Sequence, residues 1–215
     1  MSPIWSPIVT ALGGLLAGLA LAAGPLWRLQ RALTRARYAA EHDDTTGLPN
    51  RRALLAALTR ALRQGAPVGV VLLDLDKFKT INDTFSHQVG NDLLTEVGRR
   101  LTALEPPVLF AARLSGDEFA LLVTGGSEQV AGAARAAWRA VSRRPVTLGA
   151  RQVSIQASVG HVTAGPGATP GMLLHHADQA MYQAKQAGSG VHAALPSTAN
   201  PILPPGTRCR DLRHD

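Results

Sequence analysis

The sequence predicts an α+β domain, an antiparallel-containing sheet with helices packed on it, behind one apolar N-terminal helix. A valine-rich apolar run from Val68 to Leu73 reads as a strand covered on both faces. Two further apolar runs, Leu109 to Arg113 and Phe119 to Val123, flank a tight turn at Ser115-Gly116 and read as a hairpin. Around these lie stretches whose apolar residues recur every three or four positions, the signature of helices laid on a sheet.

From the N-terminus, no charged side chain occurs between Met1 and Trp27. Within that stretch Ile8 to Leu26 is long enough to cross a bilayer core as a helix, and Trp5 and Trp27 bracket it as aromatic residues do at membrane interfaces. Arg28, Arg31, Arg35 and Arg37 follow, with no acid before Glu41. Positive flanks stay inside, so a single-pass anchor in the inner (cytoplasmic) membrane is expected, with all that follows in the cytoplasm. A cleaved leader is the competing reading. It is opposed by the missing basic start and by the arginines downstream.

Residues 28–42 form an amphipathic helix in which Leu29, Leu33, Ala36 and Ala40 alternate at steps of four and three. That spacing fits a two-helix seam or a one-sided juxtamembrane helix equally well. The globular domain spans 43–192. Its elements are a helix from Arg51 to Arg63, the strand Val68 to Leu73, a helix from Asn91 to Leu104 and the hairpin. A helix from Gln129 to Val141, a strand from Gln152 to Val162 and a helix from Met172 to Gln186 complete it. Residues 193–215 are rich in proline and read as disordered.

The 215 residues carry a net charge of +7 but only 4% aromatics. Base-stacking platforms are therefore scarce, and nucleic acid is not an expected partner. Membrane proximity and phosphate chemistry account better for the charge. Cys209 stands alone, so no disulfide forms within the chain. Gly125-Gly126 is a turn without the lysine and hydroxyl of a phosphate loop. His175-His176 reads as a partly exposed polar face rather than a metal pair.

Two acidic sites stand out. Asp74-Leu75-Asp76 follows the buried strand, and Asp117-Glu118 follows the hairpin turn. A carboxylate leaving the core is costly unless it is paired or binds a metal. If strand and hairpin are neighbours, Asp74 and Asp117 converge into an oxygen-ligand site suited to Mg²⁺. Lys79 is either a salt-bridge partner for these acids or a neutraliser of phosphate oxygens. Asn82 offers a donor and an acceptor fit for a base edge.

Residues 43–52 (DDTTGLPNRR), 74–83 (DLDKFKTIND), Ser86-His87 with Gly90-Asn91, 113–119 (RLSGDEF), Ser158-Val159-Gly160 and Ala177-Asp178 through Ala184-Lys185 occur in a fixed order. Together they resemble the motifs of the GGDEF, or diguanylate cyclase, family over about Asp43 to Gly188. The resemblance implies a cyclase palm with a mostly antiparallel sheet, and condensation of two GTP into cyclic di-GMP with release of pyrophosphate. It implies that Asp74, Asp117 and the Leu75 carbonyl hold Mg²⁺ or Mn²⁺. Asp117 would accept the proton of the attacking 3′-hydroxyl, with Glu118 in support. Lys79 and Lys185 would face phosphates, and Phe78, Asn82, His87, Asn91, Ser115 and Gly116 would contact the nucleotide. One GTP per domain implies a homodimer.

Several positions depart from the family pattern. Ser115 and Ser86 replace glycines, Asn91 replaces an aspartate, and Ser189 replaces a basic residue. Pro106 and Leu109 stand where the R-x-x-D of the product-inhibition site would be. These changes leave a second reading open, a weak or inactive nucleotide-binding module at the membrane.

Overall fold

The structure, a computed structural model, describes residues 5–148, 151–188 and 190–194, with the side chains of 5–10, 12–22, 37 and 151 outside the description. The chain divides into two compact units, Met1–Glu41 and His42–Asp215. The first is one helix, α1 (Trp5–Glu41), with Pro25 inside it. Most side chains of the expected anchor, and the whole proline-rich tail from 195 onward, lie outside the described residues. Among the described residues no helix is long and apolar enough to cross a membrane. Leu26, Leu29 and Leu33 are exposed on α1, and the Arg31 guanidinium lies 3.7 Å from the centre of the Trp27 ring.

The second unit holds a five-stranded sheet in the order β2-β3-β1-β6-β7. These strands are β1 (Val68–Asp76), β2 (Val108–Ser115), β3 (Glu118–Thr124), β6 (Gln156–Thr163) and β7 (Gly190–Ala193). All pairs are antiparallel except β6 with β7. Strand β1 is central, and its side chains alternate between two apolar layers. Val71, Leu73 and Leu75 pack with α4 (His87–Thr102) and α5 (Ser127–Ser142). Val70 and Leu72 pack with α2 (Arg51–Arg63) and α6 (Pro170–Gln186). Burial on both sides is why the run lacks polar alternation.

Local chemistry fixes the ends. The Asn50 side chain accepts from the Ala53 amide to start α2, as N-caps do, and Gly65 at φ 68° turns the chain out of it. Helix α6 begins at Thr169, whose hydroxyl caps the Met172 amide. It packs against β6 at Gly160, where a Cβ would collide with the Ala177 carbonyl and the Met181 amide. Arg100 ties α4 to the end of α5 through the carbonyls of Ala140, Arg144 and Pro145.

Two expectations need correction, and one element was not foreseen. The strand expected over Gln152–Val162 is two pieces: β5 (Arg151–Val153) pairs with β4 (Val146–Leu148), and β6 joins the main sheet. Val153, Ile155 and Ala157 are all buried across the break, so the alternation shows no sign that the strand changes partner. Residues 78–85 form a separate helix, α3 (Phe78–Phe85), opened by Lys77 at φ 57°. Finally, His176 is buried rather than part of an exposed polar face. Burial, and then the neighbouring His175, lower its pKa.

Candidate active site

The site lies where β1 runs out of the core toward the hairpin turn. Asp74 faces Glu118 of β3 on one side and Ser158 of β6 on the other. The Leu75 amide donates to the Asp117 carbonyl at 3.2 Å. In an antiparallel strand a residue's N–H and C=O point the same way, so the Leu75 carbonyl also faces the turn. The two acidic pairs, with Asp74 and Asp117 43 residues apart in the chain, are thus brought to one place.

Asp74 is buried, with 7% of its surface exposed. Burial pushes its pKa up, and the charges of Asp117 and Glu118 add to the rise, while the hydrogen bond from Lys185 opposes it. That contact is short: Lys185 Nζ to Asp74 Oδ1 is 2.6 Å. Buried, and close to the charges of Asp117 and Glu118, Asp74 is short of positive charge beyond that of Lys185, which a divalent cation bound by oxygen would supply. Asp74, Asp117 and the Leu75 carbonyl therefore fit a metal.

The turn itself is held from outside. Gly116 takes φ 47°, a conformation glycine reaches without steric cost. Its carbonyl accepts from Arg113 Nε at 2.9 Å and Nη2 at 2.7 Å. The third arm of that guanidinium reaches Asp43 Oδ1 at 2.8 Å. Ser115, where the family pattern has glycine, donates its hydroxyl to Glu118 Oε2 at 2.9 Å.

The expected base pocket is built from α3 and the first turns of α4. Asn82 lies across Gly90 so closely that a Cβ at Gly90 would collide with Asn82 Oδ1, and Phe78 Cζ would be 3.2 Å away. Phe78 belongs to the core and forms the floor of this region. His87 and Asn91 are exposed on α4, with the Ser86 hydroxyl capping the Val89 amide ahead of them. Lys79 is exposed on α3 and makes no ion pair among the described residues. The salt-bridge role belongs instead to Lys185. Ser189 lies outside the described residues.

Sequence reasoning missed two features. The Arg113–Asp43 link joins positions 70 residues apart, and no spacing rule pairs them. Ser158 donates to Asp76 Oδ1 at 2.8 Å, while Asp76 Oδ2 is buried without a hydrogen-bond partner. The period-two placement of Asp74 and Asp76 on one strand face was the available signal.

The family model described as "Diguanylate cyclase, GGDEF domain" matches residues 40–190. An uncharacterized signaling protein of Caulobacter vibrioides is 39% identical over 180 residues, covering 80% of this chain and 22% of that protein. The bifunctional diguanylate cyclase/cyclic di-GMP phosphodiesterase MucR of Pseudomonas aeruginosa is 37% identical over 179 residues, covering 80% of this chain and 26% of MucR. The chain thus spans about a quarter of the length of these curated relatives. The solved coiled coil and GGDEF domain of DgcB from Caulobacter crescentus, in complex with c-di-GMP, superposes with a TM-score of 0.74 at 32% identity. That match covers 84% of this chain and 99% of the DgcB chain. A sheet of this order with the acidic hairpin turn against Asp74, together with these matches, shows that the chain belongs to the GGDEF family.

Proposed function

We propose that the protein is a diguanylate cyclase that joins two GTP into cyclic di-GMP across a homodimer. The observation that carries the reading is the meeting of Asp74 with the Asp117-Glu118 turn beside Leu75. Asp74, Asp117 and the Leu75 carbonyl would hold Mg²⁺ or Mn²⁺, whose charge would stabilise the phosphate oxygens and lower the pKa of the attacking hydroxyl. Asp117 takes the 3′-hydroxyl proton, and Glu118 stabilises the cluster. Lys79 and Lys185 neutralise phosphate oxygens as the bond to pyrophosphate breaks. Asn82, His87 and Asn91 line the base. Each 3′-oxygen attacks the α-phosphorus of the other GTP, so two phosphodiester bonds form and two pyrophosphates leave.

Each domain supplies one half-site, so two must meet face to face. The exposed Leu29 and Leu33 of α1 support a helical seam that raises the local concentration of the second domain. We assign the apolar stretch Ile8–Leu26 to a single-pass inner-membrane anchor, with the catalytic domain in the cytoplasm and residues 195–215 as a tail.

One observation favours the second reading, a weak or inactive nucleotide-binding module: the Ser115 hydroxyl already engages Glu118. The deciding experiment incubates residues 28–215 with Mg²⁺ and labelled GTP and separates the products. Cyclic di-GMP from the wild type, lost in Asp117→Asn with its fold intact, supports the cyclase. Unconverted GTP at high enzyme concentration points to the binding module.

A further inference from the structure

The lysine assigned to the phosphates and the carboxylate assigned to the metal are in direct contact. Lys185 Nζ sits 2.6 Å from Asp74 Oδ1, an oxygen a metal would also need. The two groups are unequal in mobility. Asp74 is fixed on the central strand with its side chain 10% exposed, whereas the Lys185 side chain is 48% exposed at the end of α6. A lysine head on a four-carbon stem swings out to solvent with little penalty. Asp74 cannot follow it.

We propose that Lys185 is a charge placeholder: it fills the metal's position at Asp74 until a nucleoside triphosphate draws it away. The inference rests on the metal-site reading above. Without Lys185, a buried carboxylate beside Asp117 and Glu118 would face only like charge, an expensive arrangement. With it, the carboxylate is neutralised, and a free divalent ion must displace a charge-assisted hydrogen bond to bind there. A triphosphate presents denser negative charge than one carboxylate, so Lys185 moves to the phosphates and Asp74 is released as the ion arrives. Metal and nucleotide then bind with positive coupling, and by linkage each strengthens the other by the same factor. Site and reagent load together, and the apo enzyme does not collect idle metal.

The test is direct Mn²⁺ binding to the full chain, followed by electron paramagnetic resonance of free Mn²⁺ without nucleotide. Lys185→Met and Lys185→Gln should each bind Mn²⁺ at least about tenfold more tightly than wild type, a change of about 1.4 kcal/mol. Lys185→Arg, which keeps the charge, should resemble wild type. Adding Asp74→Asn to Lys185→Met should erase the gain. Unchanged or weaker Mn²⁺ binding in both neutral variants overturns the placeholder. The metal-site reading survives that outcome if 3′-deoxy-GTP, which lacks the attacking hydroxyl, still brings Mn²⁺ to wild type and not to Asp74→Asn. A gain that persists in the double variant overturns both.

Discussion

Arg113 Nη1 contacts Asp43 Oδ1 at 2.8 Å while the rest of the same guanidinium grips the Gly116 carbonyl. The entrance of the domain and the Ser115-Gly116 turn are therefore joined by one side chain. Both partners are largely buried, with side chains 10% and 24% exposed, so solvent screens the pair weakly. Arg113→Lys keeps the charge but cannot span both acceptors. We expect a loss of about 1.5–3 kcal/mol in stability, the range for hydrogen bonds to charged groups. Turnover should fall further than unfolding explains when measured well below the melting transition. Burial works against the Asp43 charge, but hydrogen bonds from Arg113 and Thr46 outweigh it and hold its carboxyl below the usual range. Its folded pKa is depressed, so its contribution is present above about pH 4 and is lost as pH falls below that. Asp43→Asn should flatten this part of an acid-unfolding curve.

Ser115 restrains Glu118 by a hydrogen bond that glycine could not make. Ser115→Gly should remove that one restraint on the carboxylate and clear the turn for close approach of the nucleotide. The expected result is higher kcat with little change in melting temperature, since Ser115 is exposed. Lower turnover would mean the serine helps to orient Glu118.

Asn91 presents an amide where the family pattern has a carboxylate, and it is exposed at the start of α4. An amide accepts from one guanine donor and leaves the second unmatched, at about 1–3 kcal/mol. Asn91→Asp should tighten GTP binding roughly tenfold to a hundredfold and raise its preference over ATP. Competitive titration of both nucleotides on both proteins checks this. An unchanged ratio would leave guanine selection to Asn82 and its surroundings.

Ser86 takes φ 145° and ψ 163°, a region nearly restricted to glycine and costing about 1–3 kcal/mol for other residues. Its hydroxyl caps α4, but replacing a serine cap by glycine loses only a few tenths of a kcal/mol. Glycine's extra freedom when unfolded takes back about 0.5–1 kcal/mol. Strain relief is the largest of the three, so Ser86→Gly should raise the melting temperature by about 2–4 °C. A thermal melt that falls would show that the cap outweighs the strain.

Much of this was legible in the sequence. Burial of β1 on both faces followed from its unbroken apolar run, and the hairpin from two runs around Ser115-Gly116. The joining of Asp74 to the Asp117 turn followed from those two elements once they were neighbours. What escaped had physical reasons. Helix α3 is only eight residues long, too short for a helical period to stand out. The break before β6 sits inside continuous alternation. Arg113 with Asp43 is a contact between side chains far apart in the chain, which periodicity does not encode. Lys185 was expected to face phosphates, and its hold on Asp74 shows only when α6 is laid over the sheet.

Gly160 sets that overlay. Ala177, Met181 and Lys185 follow one another at steps of four along α6, and the first two lie against the bare backbone of Gly160. The depth at which the helix rests on β6 decides how far the lysine must stretch. Any side chain at 160 would act as a wedge under α6 and lift Lys185 from Asp74. The reach of the lysine is thus metered by a methyl group that is not there.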